Sequence, residues 1–266
     1  MKKTLKQAGS WFLNRPLFSS LLILALYFAA EVCLMYICRP SFSHLKVFFI
    51  SVMPAAAFAL MAKLNAGEKY RIGLGAKDFG KCLLFGCPLL GAAVLTACLD
   101  LNWISRISLA ALPILFLQAL QPGLSEELLF RGICTNNMMR VWGLKKHGVY
   151  SALMISALLF GAVSSAAAAV HGLDAGVFLQ FAYSTAAGLM FGALYLRTRN
   201  LWGCILLHTL MSFASFLNAG SMNIPSFASV SEMIMTLTLI TLFVSVSLFL
   251  VRPSKQKEVK ANWNLL

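Results

Sequence analysis

The sequence predicts an all-α polytopic membrane protein, with about eight transmembrane helices. Three observations lead there. Hydrophobic residues make up 59% of the chain, mean hydropathy is +0.79 and only 12% of residues are charged, a balance foreign to soluble globular domains. Apolar runs recur from one end of the chain to the other, long enough to cross roughly 30 Å of hydrocarbon at about 1.5 Å per residue. The basic residues fall between these runs and favour one side. A net charge of +13 in a soluble chain suggests nucleic acid, but here Lys and Arg are parcelled between spans and form no single patch. The expected surroundings are therefore a lipid bilayer, with no nucleic-acid partner.

The first run, 17–38, follows Lys2, Lys3, Lys6 and Arg15. Its apolar stretch is longer than the core of a signal peptide and lacks a small-residue cleavage site, so it is expected to remain as the first span. It carries Glu31, an intramembrane carboxylate for which the sequence names no partner. The short second run, 47–63, and the third, 82–99, flank the largest polar connection, 64–81, which is rich in Gly and Lys. The fourth, 106–122, ends at Pro122-Gly123, a pair expected to break the helix and leave Ser125 as N-cap of a new short one. The remaining spans are 149–170, 176–196, 200–219 and 230–251.

Alternate connections, starting from the N-terminus, hold nearly all the basic residues: the first four named above, then Lys63, Lys69, Arg71, Lys77 and Lys81, then Arg131, Arg140, Lys145 and Lys146. Arg197 and Arg199 follow, and Arg252, Lys255, Lys257 and Lys260 close the series. The opposite side keeps only Arg39, Lys46 and Arg106. This asymmetry predicts both termini in the cytoplasm, an even number of spans in a cell membrane, and Glu126 and Glu127 at the cytoplasmic end of the fourth span. No soluble domain interrupts the chain, so residues 1–266 read as a single transmembrane domain. The basic tail 252–266 is expected on the anionic inner leaflet. The seven cysteines are odd in number and mostly inside spans, and their spacing matches neither a disulfide framework nor a zinc site.

Charges inside such a chain need a reason. In Ser125-Glu126-Glu127-Leu128-Leu129-Phe130-Arg131-Gly132, Glu127 and Arg131 are four apart and share a helical face, so they can pair. Glu126 lies about 100° away and is left available. An ordinary juxtamembrane ion pair would satisfy the spacing equally well. A second polar point, His208 with Ser212 one turn on, lies about 12 Å inside the seventh span. An imidazole at that depth is a functional candidate, or a histidine bonded to a neighbouring backbone.

Glu126, Glu127 and Arg131 form a Glu-Glu-x-x-x-Arg motif. Phe160 and Ser164 lie in a Phe-x-x-x-His position on the next span, and His208 and Ser212 in a His-x-x-x-Asn/Asp position later. In order and spacing, residues 125–213 resemble the CPBP intramembrane proteases, the CAAX protease and Abi bacteriocin-processing family. The likeness extends to Ala186–Tyr195, Arg197 and the Asn200-Leu201-Trp202 entry to the last motif helix, giving a family-like core of about 106–219. The resemblance implies a glutamate-dependent endopeptidase whose helices surround a polar cavity that faces the cytoplasm, with a membrane-associated peptide or protein as substrate. It makes Glu126 the general base that activates water, Glu127 and Arg131 the pair that holds the motif helix, and His208 a stabiliser of the oxyanion.

Two motif positions depart from the pattern, since Ser164 replaces the second-motif histidine and Ser212 the expected Asn or Asp. A serine donates one hydrogen bond but does not replace imidazole as a base or ligand. His171 lies seven residues beyond Ser164 and about 10 Å further along the helix, so it reads as an outer-end histidine and not as a substitute. The family's description as metalloproteases implies a divalent metal such as zinc. Glu126 and His208 alone fall short of three protein ligands, so the expected metal complement is none. Three functional classes follow: a peptidase in maturation, peptide-pheromone or bacteriocin processing or self-immunity; a catalytically impaired binding or immunity protein; and a small transporter relaying through Glu31, Glu126 and His208.

Overall fold

The computed structural model describes residues 15–38, 44–66, 72–98, 101–169, 172–219 and 230–265, and among these every regular element is helical. His171, like the basic residues before Arg15, lies outside the described residues. In chain order the helices are α1 (Pro16–Cys38), α2 (His44–Ala66), α3 (Phe79–Phe85), α4 (Cys87–Cys98), the short α5 (Trp103–Arg106) and α6 (Leu112–Glu127). A π-helical segment, Leu128–Thr135, then leads into α7 (Asn136–Trp142). There follow α8 (Gly148–Ala169), α9 (Ala175–Thr198), α10 (Leu201–Ala219), α11 (Val230–Leu250) and, after a 3-10 turn, α12 (Gln256–Asn262).

Five of these helices (α1, α8, α9, α10 and α11) are long and apolar enough to cross a membrane, and α3 with α4, bent by 60°, makes a sixth candidate. The expected eight is not reached on these terms, for physical reasons. The apolar part of α2 is only Lys46–Leu60 and contains Pro54. Of the run 106–122, only the part from Leu112 lies in α6, a sixteen-residue helix that includes Gln118, Gln121, Glu126 and Glu127. Large side chains such as Tyr36, Ile234 and Phe249 face outward, where hydrocarbon takes the place of water as their solvent.

The expected break at Pro122-Gly123 does not occur. Helix α6 runs through both residues, and the dihedrals stay helical at Glu127, Leu128, Thr135 and Asn136. Segments of sixteen, eight and seven residues therefore form one rod about 45 Å long. Ser125 is not an N-cap: its hydroxyl donates to the Gln121 carbonyl one turn back, at 2.8 Å. Pro122 removes one N–H donor, a loss that packed neighbours tolerate in a membrane helix. Glu126 and Glu127 thus sit mid-rod, with the π segment and α7 continuing for about 22 Å beyond them to Trp142.

Small residues bring the rods together. A Cβ on Gly123 would strike the Thr209 hydroxyl and come within 3.1 Å of the Ile205 carbonyl, so α6 and α10 meet backbone to backbone at this point. At Gly188 a Cβ would lie 3.1 Å from Ala157 Cα, which closes α9 onto α8 in the same manner. Asn200 starts α10 as its cap, accepting from the Gly203 N–H at 2.7 Å, while its amide donates to the Gly75 and Lys77 carbonyls at 2.8 Å. Gly73, at φ +81°, lets the 72–78 loop turn back so that its carbonyl accepts from Leu201 N at 2.8 Å.

The C-terminal segment packs against the rest of the protein. Trp263 donates to the Leu196 carbonyl at 3.1 Å, Asn262 to the Arg197 carbonyl at 2.9 Å, and Glu258 pairs with Arg197 at 2.9 Å. These contacts fasten α12 to the end of α9, the helix that carries the closest approach to α8.

Candidate active site

Glu127 is the centre of the polar cluster. Its side chain is fully buried, and Oε1 accepts from Arg131 Nη1 at 2.8 Å, the i,i+4 pairing the spacing predicts. The same oxygen lies 2.9 Å from Nδ1 of His208, reached across the α6–α10 contact that Gly123 allows. Arg131 is 1% exposed and donates its other terminal nitrogen to the Gly188 carbonyl at 3.1 Å. Its guanidinium carbon stands 4.6 Å from the Phe160 ring centroid and 5.1 Å from that of Phe191, so aromatic faces share the burial of the charge.

His208 is fixed on three sides. Its ring stacks on Phe191 at 5.2 Å between centroids and meets Phe160 edge to face at 5.9 Å. With a carboxylate as the only possible acceptor at Nδ1, that nitrogen carries the proton and donates to Glu127, leaving Nε2 directed towards Glu126, 3.9 Å away. The arrangement is a carboxylate orienting an imidazole whose second nitrogen faces the open side. Sequence spacing places Glu127 with Arg131, but it is silent on the contact with His208, because that contact depends on how two helices far apart in sequence cross.

Glu126 keeps 29% of its side chain accessible and opens on a cavity of about 90 Å³. Tyr27, Phe28 and Glu31 of α1 form one wall; Gln121, Ser125 and Glu126 of α6 form the opposite one, and Val163 of α8 closes the edge. Glu31, whose partner the sequence does not reveal, accepts from the Ser51 hydroxyl of α2, and Ser51 in turn accepts from Gln121 Nε2 at 2.8 Å. Ser51 and Gln121 escape sequence reasoning. The one signal for them is a small or amide polar residue at an inward position of an apolar helix. A larger groove, about 570 Å³, runs along the outer face of α11 between residues such as Ile234 and Leu242 and contains no titratable group.

Glu126, Glu127, Arg131 and His208 are thus brought together, whereas the two substituted positions are not tied in. Ser164 follows Val163 on α8 and Ser212 lies one turn past His208; both are half-buried, and among the described residues neither side chain hydrogen-bonds to the cluster. Phe160, the other half of the second motif, contributes through its ring faces. Among the described residues no three His, Cys, Asp or Glu side chains gather in a way that could hold a metal ion. The donor set therefore does not fit a three-ligand catalytic zinc.

Curated proteins and solved structures return no match to this chain. A family model described as type II CAAX prenyl endopeptidase Rce1-like matches residues 108–214, the stretch from the start of α6 into α10 that carries the two glutamates, Arg131 and His208. By that match residues 108–214 are similar to the Rce1-like type II CAAX prenyl endopeptidases, within a helical chain built as a multi-pass membrane protein.

Proposed function

We propose that the chain hydrolyses a peptide bond of a membrane-associated peptide or protein, with Glu126 as the base. One observation carries this reading: a carboxylate open to a cavity stands beside an imidazole whose other nitrogen is anchored on a buried, arginine-paired glutamate. In the reaction, Glu126 takes a proton from water as the oxygen attacks the scissile carbonyl, forming a tetrahedral oxyanion. The imidazolium form of His208 donates from Nε2 to that oxyanion, while Glu127 holds Nδ1 and so fixes the ring. Glu126 then returns its proton to the departing amine. Arg131 acts through Glu127 as a positioning residue. The fixed dipoles of this cluster need little rearrangement as charge develops, which is where such a site gains most of its rate.

Both termini face the cytoplasm in this proposal, the membrane is the cell membrane, and processing of peptide pheromones or bacteriocins, or self-immunity, are the roles that suit it. The reaction as written needs no metal. A second reading, a binding or immunity protein that keeps the fold without the chemistry, draws on one specific observation: Ser164 and Ser212 stand outside the hydrogen-bonded cluster. A quantitative survey of protein and peptide termini separates the two. Cells making the native chain are compared with cells making Glu126→Gln at equal membrane levels. A set of termini that disappears with Glu126→Gln supports hydrolysis; no change in any terminus, with the cellular phenotype intact, supports the binding protein.

A further inference from the structure

The cavity beside Glu126 has an electrostatic imbalance that the proposed reaction does not use. Its lining contains two carboxylates, Glu31 and Glu126, and no basic side chain. Among the described residues Glu31 makes no ion pair: its partner is the Ser51 hydroxyl. The donors that meet it are ordered. Gln121 donates an N–H to Ser51, and the Ser51 hydroxyl donates to Glu31. Through Gln121 this chain of bonds ties Glu31 to α6, the helix that carries Glu126. Hydrocarbon makes an uncompensated carboxylate costly, and intramembrane acids are found with a counter-charge or along a substrate path.

We propose that Glu31 is a specificity-determining residue, which selects substrates with a basic side chain next to the scissile bond; this rests on the peptidase reading above. The counter-charge comes from the substrate. Tyr27, Phe28 and Phe130 line the same cavity, and aromatic faces beside carboxylates suit an ammonium or guanidinium head group. They suit a divalent ion poorly, since such an ion takes six or more oxygens or three firm protein ligands. About 90 Å³ holds a few waters or one charged head group, so the pocket reads one side chain and not a long segment. Because Glu126 forms part of the same lining, that side chain lies within one or two residues of the bond that is cut.

The test extends the survey of termini to Glu31→Gln, Glu31→Asp and Glu31→Lys, with the Glu126→Gln strain as baseline. Glu126-dependent cuts should be enriched in Lys or Arg beside the cleaved bond. Glu31→Gln should lower those cuts at least about tenfold more than it lowers neutral-flanked cuts, as expected when one member of a desolvated charge pair is removed. Glu31→Asp should restore part of the preference, and Glu31→Lys should shift it towards acidic flanks, an outcome that a misfolded variant cannot produce. If Glu126-dependent cuts show no basic enrichment, or Glu31→Gln lowers all cuts equally, the inference fails while the peptidase reading stands. A cavity that binds a divalent ion instead would show chelator-sensitive cleavage whatever the flanking residue, which also overturns it. If no Glu126-dependent terminus exists, both fall together.

Discussion

The two adjacent glutamates have opposite environments, and this sets opposite expectations for the same substitution. Glu127→Gln removes the partner of a guanidinium that is 1% exposed, at a cost of about 3–5 kcal/mol for the buried charge left behind. Glu126→Gln touches a side chain on a cavity wall and should leave the midpoint of thermal unfolding in detergent within a few degrees while removing cleavage. Equal losses of thermal stability in the two variants would contradict this division of roles. Gly123→Ala provides a third check, because its methyl group meets Thr209 and the Ile205 carbonyl and must push α6 away from α10. Displacing Glu126 and Glu127 from His208 by a fraction of an ångström should reduce turnover at least about tenfold with an unchanged fold, read as kcat in purified protein. The Glu127–Arg131 pair is legible in the sequence because four residues on a helix make one face. The histidine contact is not, since only the packed structure shows which of two neighbouring carboxylates an imidazole on another helix reaches.

Among the elements, α6 and the π segment that follows it are where sequence and structure part most clearly. Pro122-Gly123 reads as a break because in water both residues end helices, yet in the packed membrane protein glycine serves as a contact surface and the rod continues. The wider turns from Leu128 to Thr135 have a local support: Thr135 Oγ1 bonds to the Phe130 carbonyl, five residues back, at 2.9 Å and to Ser156 Oγ at 2.8 Å. Such bulges gather at functional sites, and this one starts directly after the glutamates. Thr135→Val keeps the shape and removes the donor, so it should cost about 1 kcal/mol in detergent unfolding and lower activity through the register of Arg131. At the C-terminus, the Lys255 ammonium, and then Arg197, hold the Glu258 carboxyl below the usual range. A depressed carboxyl stabilises the fold above its unfolded value, near 4.3, and that contribution is lost as pH falls through the folded value. Limited proteolysis should therefore find α12 protected at pH 6 and progressively more open to cleavage below about pH 4.

For the whole molecule, composition and the sidedness of Lys and Arg are enough to give a helical multi-pass protein, because the cost of polar groups in hydrocarbon acts on every residue. The number of spans is less legible. A polar rod and a proline-bearing helix depart from the apolar run that a spanning count looks for, although each is buried against neighbours. Termini in the cytoplasm remain an expectation from the basic residues, and reporter fusions to each end check it: both should be active only as cytoplasmic enzymes. A reporter active outside at either end would reverse the membrane sidedness and move the opening of the cavity to the other face.

Residues 108–214 carry Glu126, Glu127, Arg131 and His208, but the wall with Glu31 and Ser51 belongs to α1 and α2, outside that stretch. In the proposed reading the selecting carboxylate comes from α1, while the reacting groups and most of the cavity lining come from residues 108–214. In that reading a change of α1 and α2 alters the wall that meets the substrate while Glu126, Glu127, Arg131 and His208 stay in place, much as a tool keeps its handle while the bit is changed. A hybrid joining this core to the opening pair of helices of another Rce1-like protein should take on that protein's substrate preference and keep this chain's chemistry.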